Sequence, residues 1–122
     1  MERPKAVTMK GNPLTLVGPI LKVGDKAPDF TLTGVDLKPV SLHDTKGKVR
    51  LLSVVTSLDT GICNTQTCTL DARLPDVGGE HLHYTISADL PFAQARFAKE
   101  HNIKNIVFLS DHREMSFARA YG

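Results

Sequence analysis

The 122-residue chain has no tryptophan, 6% aromatic residues and only two cysteines, Cys63 and Cys68. Two cysteines in one short segment do not make the disulfide framework of a small secreted domain, so stability has to come from a packed core. No apolar run approaches the length that spans a bilayer. Met1-Glu2-Arg3-Pro4-Lys5 lacks the apolar stretch behind it that a signal peptide needs. Charge of one sign is missing too: 15 Lys and Arg against 13 Asp and Glu leave a net charge of +2. The signs are interspersed, which provides no basic stripe for nucleic acid and no polybasic anchor for a membrane. With 41% hydrophobic and 23% charged residues, the composition is that of an ordinary globular protein long enough for one core. The expectation is a single domain, residues 1–122, in a reducing cytoplasmic compartment.

What the chain does have is an alternation of strand and helix signals. Residues 6–9 and 14–17 flank the turn sequence Gly11-Asn12-Pro13 and predict a hairpin. Residues 23–28 read as a loop, 29–33 and 38–42 as strands, and the apolar run 49–55 as the strongest strand. An amphipathic helix is expected from Cys63 to about Leu74, where Pro75 and Gly78-Gly79 stop it. Residues 81–87 give another strand, 89–91 open a helix with proline in its first turn, 106–109 form a buried strand and 111–121 a last helix. Phe92, Phe97, Phe108 and Phe117 are expected in the core. The alternation implies an α/β domain with parallel crossovers and helices on both faces of the sheet.

The chemistry is expected where the strongest strand ends. Ser57-Leu58-Asp59-Thr60-Gly61-Ile62-Cys63 brings a cysteine to the start of a helix, where oriented N–H groups and a partial positive charge lower a thiol's pKa. Thr60 is near enough for its hydroxyl to reach the sulfur or a bound oxygen ligand. The same residues also fit an inert, small apolar cysteine behind a cap formed by Asp59 or Thr60. Spacing alone does not separate these readings. Asp59 is expected to cap the helix or face a basic neighbour rather than oppose a thiolate. Arg96 and Arg113 read as solvated helix charges or as neighbours of the site or of a dimer interface. His81 and His83 share one face of a strand, but no Cys or acidic pair at ligand spacing accompanies them. Neither a metal nor a cofactor is expected.

Several segments, in order from about residue 8 to the end, resemble the thiol peroxidase branch of the peroxiredoxins. They are Lys10-Gly11-Asn12-Pro13, the Val23-Gly24-Asp25-Lys26-Ala27-Pro28-Asp29-Phe30 entry loop, the Ser57 to Cys63 motif, the run from Ile86 to Phe97, Leu109-Ser110-Asp111-His112-Arg113, and Ala120-Tyr121-Gly122. The resemblance implies a thioredoxin-like fold with an N-terminal β-hairpin, lacking the final strands and helix and so incomplete at the C-terminus. It implies that Cys63 attacks a peroxide oxygen as thiolate, that Thr60 holds the sulfur and the peroxide, and that a second thiol forms a disulfide reduced by a thioredoxin-type donor. The implied partners are a peroxide substrate, that reductant and a second copy in a homodimer, with no nucleic acid and no membrane.

Three positions depart from the family pattern. Thr56 stands where the family has a proline that shields the cysteine. Ala98 occupies the site of this branch's resolving cysteine. The family's active-site arginine lies on a strand beyond the Ala-Tyr-Gly segment, which leaves Arg96 and Arg113 as possible supporting cations. Cys68 is then either the possible resolving thiol, with a spacing that resembles another peroxiredoxin branch, or an inert small core or surface residue of the helix. Five residues along a helix separate Cα atoms by about 8–9 Å and splay the side chains by roughly 140°. A disulfide therefore needs the first turn to unwind. The alternative to a peroxidase is a weak or inactive relative that acts as a dimerising or redox-sensing module.

Overall fold

A computed structural model describes residues 1–122. Strands β1 (Glu2–Met9) and β2 (Asn12–Val17) form the expected hairpin as a separate two-stranded antiparallel sheet. Its root is fixed to the end of the chain: Arg3 donates to the carbonyls of Gly18 and Gly122. Gly18 has φ +122°, and a Cβ there would lie 2.8 Å from the Gly122 Cα, so only glycine permits this approach.

The main sheet holds β3 (Thr31–Gly34), β4 (Pro39–Ser41), β5 (Val49–Val54), β6 (His81–Ser87) and β7 (Val107–Ser110), in the order β4-β3-β7-β6-β5. Strands β5, β6 and β7 run parallel, while β3 pairs antiparallel with both β7 and β4. The parallel strands are linked by α1 (Gly61–Arg73) and α2 (Pro91–Glu100), and α3 (Ser116–Tyr121) follows β7. No helix is long and apolar enough to cross a membrane.

Period-two alternation on β6 and β7 divides the interior into two cores. On one face Tyr84, Ile86 and Leu109 pack with Phe30, Leu32, Leu42 and Phe117. On the other, Phe108 packs with Val55, Leu58 and Phe97, and Cys63, Cys68 and Ala98 border this second cluster. Helices therefore cover both faces, as expected. Strand β5 lies at the sheet's edge, with Val49, Leu51 and Val54 exposed. Its one charged residue, Arg50, donates to the Leu42 carbonyl and the Thr45 hydroxyl.

Three expectations need correction. Helix α1 begins at Gly61, so Cys63 is its third residue rather than its first, and its buried positions are the polar Thr67 and Asp71. Thr67 donates back to the Cys63 carbonyl at 2.8 Å, and the Asp71 carboxylate accepts the Lys104 and Asn105 N–H groups. The inward face is thus satisfied by hydrogen bonds and needs no apolar stripe. Helix α3 starts at Ser116 and not at Asp111; the Asp111 carboxylate takes up the Phe117 and Ala118 N–H groups from outside the helix. Phe92 is exposed, because α2 turns Pro91, Gln94 and Phe97 inward and the next position after Pro91 points away.

Candidate active site

The segment between β5 and α1 is a tight turn. Thr60 N–H donates to the Ser57 carbonyl at 3.1 Å, and the Asn64 N–H makes the first helical bond, to the Thr60 carbonyl. Thr60 has extended backbone angles and is the N-cap, yet its side chain caps nothing. Its hydroxyl donates instead to the Ser57 carbonyl at 2.8 Å. That leaves the first N–H groups of α1 open at the end where Cys63 sits.

Cys63 is half-buried and unpaired, and its thiol pKa is held below the ordinary value. The largest cause is a hydrogen bond from the Thr60 hydroxyl; burial pushes the other way, and the Ser57 and Thr56 N–H groups lower it further. The negative charge of Asp89 opposes the shift. The Thr60 hydroxyl has one proton to share between the Ser57 carbonyl and the sulfur. With Cys63 ionised, the charge-assisted bond to sulfur is the stronger. Cys68, also half-buried, has the opposite balance: burial and the Asp71 charge both raise its pKa, and its one polar contact is a long 3.7 Å approach to Asn64 Oδ1.

The turn is tied to the rest of the sheet by a residue that sequence reasoning missed. Asp89 accepts from the Ser57 hydroxyl at 2.7 Å on one carboxylate oxygen, and from Leu58 N–H and the Ser87 hydroxyl, each at 2.8 Å, on the other. Buried Gln94 braces Ser87 at 3.1 Å, and the Ser110 hydroxyl donates to the Asp89 carbonyl. The one local signal for this role is Ser87, two residues before the aspartate; Ser57 is 32 residues away in the chain.

The remaining residues named from sequence are dispersed. Thr56 is exposed and borders an apolar cavity of about 490 Å³ with Val54, Ala88, Met115 and Tyr121. Arg96 lies 3.8 Å from the Asp59 carboxylate and 3.9 Å from Glu100, with all three side chains largely in solvent. This puts one cation at the rim of the turn. Arg113 lies elsewhere, lining a groove with Leu37 and Pro39. His81 and His83 turn ring nitrogens toward each other, and no group of three or more metal-ligating side chains is present.

Residues 22–122 match the Redoxin family. A thiol peroxidase of Halalkalibacterium halodurans is 50% identical over 117 residues, covering 96% of this chain and 70% of the relative. A thiol peroxidase of Bacillus subtilis is 51% identical over 116 residues, covering 95% of this chain and 69% of that one. Among solved structures, a peroxiredoxin-like protein from Aquifex aeolicus superposes with a TM-score of 0.86 at 39% identity, covering 94% of this chain and 67% of its own.

Proposed function

The chain belongs to the redoxin family, in the thiol peroxidase branch of the peroxiredoxins, and from that premise we propose that it reduces peroxides through Cys63. The observation that carries this reading is a half-buried, unpaired thiol in the open first turn of α1, with a pKa lowered chiefly by the Thr60 hydroxyl. Donors arranged to hold a thiolate are also placed to hold the oxygens of a peroxide beside it.

In the proposed reaction the Cys63 thiolate donates an electron pair to the terminal oxygen of hydrogen peroxide or an organic hydroperoxide. The O–O bond breaks, sulfur gains the oxygen as a sulfenic acid, and the departing oxygen leaves as water or an alcohol after taking up a proton. Cys68 is the proposed resolving thiol: its sulfur displaces the sulfenic oxygen as water and closes a disulfide, which a thioredoxin-type dithiol then reduces. Both cysteines lie on the continuous helix α1, so this step requires the turn from Gly61 to open. Arg96, held in solvent at the rim of the turn by Asp59 and Glu100, is proposed as a weak supporting cation. Thr56 admits more water than a proline ring would, and the expected turnover is correspondingly modest.

Residues 1–122 are read as one thioredoxin-like domain acting in the cytoplasm as a homodimer. The edge of β5 supports the dimer, because an exposed apolar edge strand whose single charge is turned away invites pairing with another strand. Sedimentation of a well-folded, stable monomer overturns that part of the proposal. The catalytic part is tested by stopped-flow mixing of the reduced protein with hydrogen peroxide, followed by peptide mapping. One added oxygen, or a disulfide to Cys68, is expected on Cys63. Oxidation confined to other residues sinks the assignment.

A further inference from the structure

The negative charge of Asp89 is an unexpected neighbour for a cysteine that works as an anion. Its carboxylate faces the reactive turn, and its charge acts against the Cys63 thiolate. The other acidic residue beside the turn, Asp59, is paired with Arg96 in solvent. A group retained there against the electrostatics of the site has another task, and its bonds identify it.

Three donors point at Asp89: the Ser57 hydroxyl, the Leu58 N–H and the Ser87 hydroxyl. Two carboxylate oxygens accept all three, whereas an amide offers one acceptor oxygen and two unwanted donor hydrogens. Burial alone would raise the pKa of this carboxyl. The bonds from Leu58, Ser57 and Ser87 together outweigh burial and leave it lowered, so the group is charged at neutral pH. The anchor is itself held at its base, with its carbonyl on Ser110 of β7 and Ser87 braced by Gln94 of α2. A line of constraint runs from the sheet through Asp89 to Ser57, and from the Ser57 carbonyl to the Thr60 hydroxyl beside the sulfur.

We propose that Asp89 is a positioning residue for the peroxide reaction, pinning the turn 57–60 that carries the Thr60 hydroxyl and leads into the helix turn holding Cys63. This rests on the reading of Cys63 as the reactive thiol. The cost is a thiolate somewhat less favoured than the same donors would otherwise make it.

Asp89→Asn separates the two effects of this residue. Removing the charge shifts the pH profile of Cys63 alkylation by iodoacetamide to lower pH. Loosening the turn slows oxidation by hydrogen peroxide, measured per thiolate, by about tenfold or more, on the scale of losing a positioned donor. A residue that only set charge would move the alkylation profile to lower pH and leave the rate per thiolate about unchanged. Ser57→Ala keeps the charge and breaks one link, so a slowing of about 3- to 10-fold is expected with no downward shift of the alkylation profile. Oxidation per thiolate within about twofold of wild type in either folded variant overturns the proposal; should Asp89→Asn fail to fold, Ser57→Ala decides. If wild-type Cys63 does not react with peroxide at all, it is the functional reading that fails. The pinning is then decided by hydrogen exchange at the Leu58 amide, which is expected to accelerate about tenfold or more in Asp89→Asn and whose constancy overturns it.

Discussion

Cys63 and Cys68 sit on one helix, in α1, border the same apolar cluster and are equally free of disulfides, yet their surroundings push them in opposite directions. Cys63 lies in the open first turn of the helix, where the Thr60 hydroxyl is the largest influence lowering its pKa. Cys68 faces burial and the Asp71 charge further along. Burial alone disfavours a thiolate at either place, so what differs is the supply of donors. That supply depends on where the chain runs before the helix starts. The turn 57–60 places the Thr60 hydroxyl ahead of Cys63, while the one polar contact of Cys68 comes from its own helix, from Asn64.

The comparison is broken or upheld most directly by removing each thiol in turn. Cys63→Ser is expected to abolish oxidation of the protein by hydrogen peroxide. Cys68→Ser is expected to keep the first oxidation at about the wild-type rate and to accumulate sulfenic acid on Cys63. Stopped-flow traces with sulfenic-acid trapping read both. First-step activity that is lost with Cys68 and kept without Cys63 reverses the two roles.

Thr60→Val sharpens the contrast at its strongest single donor. A hydrogen bond to a charged group contributes about 1.5–3 kcal/mol, so peroxide oxidation at neutral pH should fall by about 10- to 100-fold. The Cys63 alkylation profile should move to higher pH while Cys68 stays in place. The direction follows from titration: a thiol reacts as its pH rises through its own pKa, and Cys63 is lowered where Cys68 is raised. The difference in labelling rate between Cys63 and Cys68 is therefore largest at pH values between the two and shrinks as pH climbs above both. Thr60→Ser, which keeps a hydroxyl, should restore much of the rate.

How much of this was legible in the sequence follows from how local each feature is. The strand 81–87 matches β6 because alternation and β-branched residues act within the segment itself. The loop-then-cysteine arrangement was legible for the same reason. The start of α1 at Gly61 was not, since glycine is a poor helix former and the helix begins there because Thr60 is held extended by the turn. The start of α3 was missed because its cap, Asp111, lies outside the helix and reaches in to Phe117 and Ala118. Asp89 was invisible in its role because its partners Ser57 and Leu58 belong to another element, brought near only by the pairing of β5 with β6.

Asp71 offers the same test on the other cysteine, through stability rather than rate. It holds α1 to the segment before β7 by accepting the Lys104 and Asn105 N–H groups, and Asn105 returns a bond to its carbonyl at 2.9 Å. Asp71→Asn removes one of the acceptors and the charge beside Cys68. We expect a loss of about 1–2 kcal/mol in urea unfolding, because the Lys104 and Asn105 N–H groups exchange a charged acceptor for a neutral amide oxygen. In the folded variant, alkylation of Cys68 should shift to lower pH and narrow its distance from Cys63. An unchanged Cys68 profile would leave burial as the whole cause of its inertness.

The smallest effect is expected from Arg96, the one cation at the rim of the turn. Its contacts with Asp59 and Glu100 are long, at 3.8 and 3.9 Å, and its side chain is 62% exposed. Exposed pairs of this kind contribute about 0–1 kcal/mol and are screened by salt. Arg96→Gln should therefore change peroxide oxidation by no more than about twofold, with the difference fading as ionic strength rises. Arg113→Gln, in a groove away from Cys63, should change it less. A salt-resistant loss of about 100-fold or more in Arg96→Gln would instead mean that the guanidinium leaves Asp59 to meet the developing charge on the peroxide, on the scale of a positioned oxyanion donor. The difference between the two cysteines would then rest on a cation that Cys63 recruits during reaction as well as on the donors fixed around it beforehand.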